Sequence, residues 1–223
     1  DAFYENFDGK ELKPDWIFRR VPLPNSYSLS ANKGNLRLFL KPETFSPRGR
    51  YNVVGFTQKE SDFEFEAKMA FKPKKNLEEA GISVYQKDLN YINLTVQRIG
   101  KDNYIKLTVS EKRDDNPNLS SNPIGETNIE AFESKKLSKY SGEIQLKITS
   151  KNGKYEYHFS IDGGSSYEKL GETPDNILLG MMYTGANMGV YATSNGQKSN
   201  NYADFDWVHY KGLVRNWINE NNL

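Results

Sequence analysis

The chain has 223 residues, which suits one β-rich domain better than two ordinary ones. Its 30 basic and 29 acidic residues leave a formal charge of +1, which argues against a nucleic-acid surface or a polybasic membrane surface. There is no cysteine, so disulfide and thiolate chemistry are excluded, and no apolar run is long enough to span a bilayer.

Taken in chain order, the apolar period is two, not 3.6. "FYENFDG" opens as a first strand. "LRLFL" places Leu36, Leu38 and Leu40 on one face, and "DFEFEAKMAF" does the same with Phe63, Phe65, Ala67, Met69 and Phe71. "YINLTV" buries Ile92, Leu94 and Val96, and "YIKLTV" buries Ile105, Leu107 and Val109. "EIQLKIT" and "YEYHFSI" follow the same rule with Ile144, Leu146 and Ile148, then Tyr155, Tyr157, Phe159 and Ile161. Turn signals separate them at Gly34-Asn35, Gly100–Asn103, Asn152-Gly153 and Asp162–Gly164. Helical character is confined to a turn at Ile129–Phe132 and a short tail, "VRNWINENNL". The pattern predicts an all-β, two-sheet antiparallel sandwich over residues 1–212 with a tail at 213–223.

Ser160–Tyr167 reads Ser-x-Asp-x-Gly-x-x-aromatic and resembles the Asp-box of sialidase-type propellers. A propeller repeats its blade and its box, and here the box occurs once. The stretch is therefore a hairpin whose turn Asp162 caps and whose glycines supply positive φ.

"ESDFEFE" carries Glu60, Asp62, Glu64 and Glu66. Its E-x-D-x-E order resembles the catalytic strand of laminarinase-type glucanases, and alternation places these acids on one face. The alternative is that Phe63 and Phe65 point inward while the acids face water. His158 and His209 lie in separate strand-like segments without metal spacing.

Four ordered stretches carry a more specific likeness: "FYENFDGKELKPDWIFRR", "SPRGRYNVVGFTQ", "LEEAGISVYQKDLNYINLTV" and "YTGANMGVYATSNG" followed by "NNYADFDWVHY". Together they resemble the C-terminal concanavalin A-like domain of bacterial family 43 β-xylosidases. The resemblance implies a jelly-roll sandwich without catalytic residues, because the acid and base of those enzymes lie in a preceding propeller. It also implies an accessory or carbohydrate-binding role in a plant-polysaccharide hydrolase of xylan or arabinan type. The lack of cysteine fits a cytosolic protein and also many exported bacterial ones, with a periplasmic or secreted setting favoured over the cytoplasm. The alternative is a freestanding sandwich hydrolase using Glu60, Asp62 and Glu64. The implied partners are an oligosaccharide or a catalytic propeller, with no nucleic acid and no membrane span.

In those enzymes an aromatic from one loop helps to close the propeller's pocket. The matching loop is "MYTGANMG", where Asn187 stands in the place of a bulky apolar residue and Tyr183 is the substitute candidate. Arg50 faces a partner domain, a sugar or a surface acid. The motifs nominate Trp16, Arg19, Glu79, Tyr85, Gln86, Tyr91 and Asn93 for a concave sugar-binding face, since rings stack on sugar C–H faces and amides or carboxylates read hydroxyls. Gln86 and Tyr85 share that face only if a bulge intervenes. No cofactor is required. A structural Ca²⁺ joining the first and last strands would take Glu5, Asp8 and Asp206, with Asp204 nearby.

Overall fold

Alternating side chains become fifteen strands and no helix among the described residues of the computed structural model, which are 2–14, 16–18, 25–43, 52–57, 62–87, 90–112, 127–174 and 186–213. In chain order these are β1 (Ala2–Glu5), β2 (Ile17–Phe18), β3 (Tyr27–Ser28), β4 (Leu36–Phe39), β5 (Asn52–Thr57), β6 (Phe63–Ala70), β7 (Glu79–Lys87) and β8 (Asn90–Ile99). They continue with β9 (Asp102–Lys112), β10 (Thr127–Lys136), β11 (Glu143–Lys151), β12 (Lys154–Ser160), β13 (Glu168–Pro174), β14 (Asn187–Thr193) and β15 (Tyr202–Gly212).

Sheet A runs β13-β12-β11-β6-β15-β4-β3, with β1 also paired to β15. The long β15 takes β4 along Tyr202–Phe205 and β1 along Val208–Lys211, so first and last strands meet as expected. Sheet B runs β10-β9-β8-β7-β14-β5-β2. Every ladder is antiparallel.

The inner faces are the ones read from the period. Phe65 lies in register with Ile148 on one side and Tyr210 on the other, and all three are buried. Across the sandwich, Ile82, Leu94, Leu107 and Val190 close the same core at 0% exposure. Each such side chain contributes about 1.5–3 kcal/mol relative to exposure. Asn152 and Gly153 both take positive φ (52° and 76°), the two-residue turn whose twist suits the β11–β12 hairpin.

One expectation is corrected. Ile129–Phe132 is no helical turn but the middle of β10, whose register against β9 shifts between Ala131 and Glu133. The extra residue, Phe132, breaks the alternation and gives the segment its turn-like reading. Of the tail, Leu213 alone is described, its N–H donating to the Asp62 carbonyl at 2.8 Å; 214–223 lie outside the described residues.

The Asp-box stretch is the turn between β12 and β13. Asp162 accepts from the Ser166 amide (2.9 Å), the Ser166 hydroxyl and the Ser160 hydroxyl (2.7 Å), while the Gly164 amide donates to Ser160 Oγ (2.9 Å). Gly163 and Gly164 hold φ of 74° and 89°, which only glycine adopts cheaply. Hydrogen bonds from Ser166 and then Ser160 hold the Asp162 carboxyl down at about 2. A depressed carboxyl stabilises fully above its unfolded value of about 3.9, and that contribution is lost as pH falls toward 2. Amide exchange at Ser166 should therefore accelerate as pH falls through that window, relative to other turn amides. In Asp162→Asn the acid step should vanish; a step that persists there would assign it to another group.

Candidate functional site

Sheet B is buried on both faces along β7, β8 and β14, whereas Tyr104, Lys106 and Thr108 of β9 are half-buried and 133–136 of β10 are exposed. Its second face carries ladder-aligned rows: Thr57, Asn187, Tyr85, Tyr91 and Ser110 form one, and Gly55, Gly189, Ser83, Asn93 and Thr108 the next. Tyr85, Tyr91 and Tyr191 make a small apolar cluster separate from the main core, at 1%, 6% and 2% exposure. Tyr85 reaches across β14 toward β5: a Cβ on Gly55 would stand 2.7 Å from its hydroxyl oxygen and 2.4 Å from the Met188 carbonyl oxygen. Glycine at 55 is thus what lets the ring lie down there. Ser83 Oγ and Asn93 Oδ1, cross-strand neighbours in this row, are buried without a hydrogen-bond partner.

Glu79 sits on the same face but is fully engaged. It accepts from Thr95 Oγ1 (2.8 Å) and Asn195 Nδ2 (3.1 Å), with Lys106 Nζ at 3.9 Å. Lys106 in turn donates to Gln97 Oε1 at 2.6 Å. This is a closed network that ties β7, β8 and β9 to the 194–197 turn. Each Glu79 oxygen accepts one hydrogen bond inside this network.

Trp16 does not stand on an open face. The expected platform packs inside the main core, against Phe3 (centroids 5.7 Å, near perpendicular) and Phe7 (5.6 Å). Tyr85, Tyr91 and Asn93 do share one face, but as buried groups and not as an open platform, because that face is covered. The bulge needed at Gln86 exists: the β7–β8 register shifts between Tyr85 and Lys87. Asn187 begins β14 in the Tyr85 row. Arg19, Arg50 and Tyr183 lie outside the described residues.

Glu64 and Glu66 of "ESDFEFE" lie on the other side of the molecule, on the outer face of sheet A. Glu64 is exposed there and Glu66 half-buried, whereas Asp62, just before β6, is buried. Glu66 is held by the Tyr167 hydroxyl and by Gln145 Nε2 (3.3 Å). Glu60 is outside the described residues. The flanking strand β15 contributes Trp207 and His209, stacked on each other at 4.2 Å, with Tyr4 edge-on to His209 at 4.9 Å. Burial lowers the pKa of both His158 and His209.

The carboxylates at the joined termini are dispersed. Glu5 accepts from the Phe7 amide (2.9 Å) and pairs with Lys13 (3.4 Å), whereas Asp8 is exposed. Asp204 is taken by a two-bond fork from Arg37 (2.8 and 3.0 Å) and by Asn32 (2.9 Å). Asp206 occupies a bulge in β15 with Lys68 at 3.9 Å. Among the described residues no three His, Asp or Glu side chains converge as a cation would need. Thermal melts in chelator and in millimolar calcium are expected to superimpose; a calcium-dependent rise in Tm would restore the site.

Sequence reasoning missed Glu78, which is 1% exposed. Its oxygens take the amides of Lys74 (2.7 Å) and Lys75 (3.0 Å), Asn201 Nδ2 (3.0 Å) and the Ser199 hydroxyl. The doublet Glu78-Glu79 reads in the sequence as solvated charge, and no local signal marks partners more than a hundred residues away.

Two stacked antiparallel sheets, the first holding both chain-end strands β1 and β15, are the frame on which the four motifs sit. Over residues 4–211 the chain matches the family described as the β-xylosidase C-terminal concanavalin A-like domain. The chain belongs to that family. It is 30% identical over 216 residues to the non-reducing end α-L-arabinofuranosidase BoGH43B of Bacteroides ovatus, a match of 94% of this chain and 37% of that protein. Among solved structures, Bacteroides ovatus Xyloglucan PUL GH43B aligns with a TM-score of 0.77 at 28% identity, covering 94% of this chain and 39% of that one. The GH43 BlXynB protein of Bacillus licheniformis aligns with a TM-score of 0.79 at 24% identity, over 94% of this chain and 39% of that one, a likeness of fold. This member of the family therefore spans less than two-fifths of the length of those relatives. The resemblance carried by the four motifs and the two-sheet sandwich are both borne out. No helix of the described residues is long and apolar enough to cross a membrane.

Proposed function

We propose that the chain is a non-catalytic accessory domain of a plant-polysaccharide hydrolase of xylan or arabinan type, working against a catalytic propeller. The observation that carries this reading is the coverage: nearly all of the chain aligns with a minor part of proteins named arabinofuranosidase and xylosidase/arabinosidase. The closed network at Glu79 and the buried tyrosine cluster support it, because they make sheet B a stiff scaffold for the loops at its edge. Fold by itself names no activity, so the test must read the reaction. The isolated chain is expected to leave xylan, arabinan and β-glucan uncut. Deleting it from the longer protein should lower kcat/KM on xylo- or arabino-oligosaccharides by about tenfold or more, about 1.4 kcal/mol of transition-state stabilisation. Hydrolysis by the isolated chain that disappears in Glu64→Gln would establish the freestanding hydrolase instead.

A further inference from the structure

Strand β15 breaks its alternation once, and the break turns its largest side chain out of the core. Phe205 and Val208 are both buried at 0% exposure, three positions apart, because the β15–β6 register shifts between Phe205 and Trp207. An unbroken period of two would send Trp207 inward with Phe205 and turn Val208 outward. The bulge at Asp206 instead leaves Asp206 and Trp207 half-buried on the outer face of sheet A, with His209 following in step. The wet face of an antiparallel sheet ordinarily carries polar residues. Here it carries a tryptophan.

The ring is held in place. His209 stacks on it with centroids 4.2 Å apart and planes 18° from parallel, and Tyr4 of β1, itself 50% exposed, stands edge-on to His209. Burial lowers the pKa of His209 against the opposing pull of Glu66, so near neutral pH the backing ring is the uncharged imidazole. Among the described residues no other ring and no cation stands against Trp207; Arg37 is committed to Asp204 and to the Tyr202 ring (3.6 Å). Beside Trp207, Asp206 and Lys68 lie 3.9 Å apart, with half and a third of their side chains exposed. That separation is too long for a hydrogen bond, so carboxylate and ammonium both keep their capacity for hydroxyls.

A stable protein interface takes about 800 Å² per partner with an uncharged centre. Three rings bordered by Glu66, Lys68, Asp206 and Lys211 do not provide one. A sugar asks for less: a flat apolar ring for its C–H face and polar groups at the rim for its hydroxyls.

We propose that the outer face of β15 is a carbohydrate platform, with Trp207 stacked on a ring of a neutral pentose oligosaccharide and Asp206 and Lys68 on its hydroxyls. The choice of a pentose rests on the accessory-domain reading above. Binding of xylohexaose and of arabinohexaose to the 223-residue chain is measured by titration calorimetry, and at least one of them should bind. Trp207→Leu keeps an apolar side chain over the sheet but no flat ring, and should weaken that binding about tenfold with Tm unchanged. Trp207→Tyr should retain most of it. Lys147→Gln, on the same outer face but away from β15, should leave it as it is. No binding of either oligosaccharide, or binding that survives Trp207→Leu, would overturn the proposal, and so would binding lost in Lys147→Gln. If the isolated chain binds neither sugar while Trp207→Leu lowers the Tm of the longer protein, the ring is a contact between domains and the proposal fails. The sugar readouts are binding by the isolated chain, so their failure is separate from that of the accessory role, which is read from hydrolysis by the longer protein.

Discussion

Replacing Gly81 with alanine is expected to cost on the order of 4 kcal/mol, at the upper end of single-substitution effects. A Cβ at this position would stand 2.1 Å from the Leu94 carbonyl oxygen and 2.7 Å from Thr95 Cα. Both are backbone atoms of β8, so no side-chain rotation relieves the overlap. Strand β7 has β8 on one side and β14 on the other, and displacing it loosens two ladders at once. Against a total stability of about 5–15 kcal/mol for a domain, that loss approaches unfolding. Gly171→Ala is the control: its nearest neighbour would be Glu133 Cγ at 3.3 Å, the stem of a flexible side chain, and little change is expected. Urea denaturation decides the matter. The Gly81→Ala midpoint should fall steeply at constant slope, and a midpoint equal to that of the parent chain would show that β8 yields.

The second large effect is expected at Glu78. This buried carboxylate gathers two backbone amides, an asparagine amide and a serine hydroxyl, joining the 72–78 segment to the 199–201 segment. Asn201, whose amide also donates to the Lys72 carbonyl at 2.9 Å, completes the tie. Glu78→Ala would strip a buried acceptor from several donors at once, and a loss of about 3–5 kcal/mol is expected. Glu78→Gln keeps an oxygen for the amides, and the Ser199 hydroxyl can turn to accept, so about 1 kcal/mol is expected there. Burial alone would raise the pKa of Glu78; the hydrogen bonds from Ser199, Lys74, Lys75 and Asn201 together outweigh it and lower it. A lowered carboxyl stabilises fully above its unfolded value of about 4.3, and the contribution is lost as pH falls through the folded value. The acid limb of stability should therefore be shallower in Glu78→Gln than in the parent chain. Parallel acid limbs in both proteins would mean that Glu78 carries no such linkage.

The two outer faces of the sandwich follow different rules. Sheet B is buried on its second face along β7, β8 and β14, so its polar groups there are either closed into networks, as Glu79 is, or left waiting, as Ser83 Oγ and Asn93 Oδ1 are. Sheet A meets solvent on its outer face, so charged residues alternate with core residues along β6 and β11 in the ordinary antiparallel manner. The motif-based choice of Tyr85, Tyr91 and Asn93 found residues that do share a face, because their spacing of two fixes that much. It took the face for an open one because nothing in "SVYQK" or "YINLTV" says what lies over it. For Trp16 even the face was out of reach: it stands outside any regular strand, where no period applies.

The sequence by itself determined the local and periodic features of this protein. A period of two specified the strands and the inner residues of both sheets. Asn152-Gly153 and the Asp162 turn specified their hairpins through backbone geometry that few residues adopt. The ordered motifs specified the family. Only the tertiary structure decided which carboxylates are spoken for and which side of the sandwich each candidate occupies. Glu78 and Asn201 meet across 123 residues of sequence, and Glu66 and Tyr167 across 101. Strand alternation states which side chains point the same way. It contains no information on which strands become neighbours or on what covers a face, and those two facts set the burial, the partners and the charge balance of every candidate site.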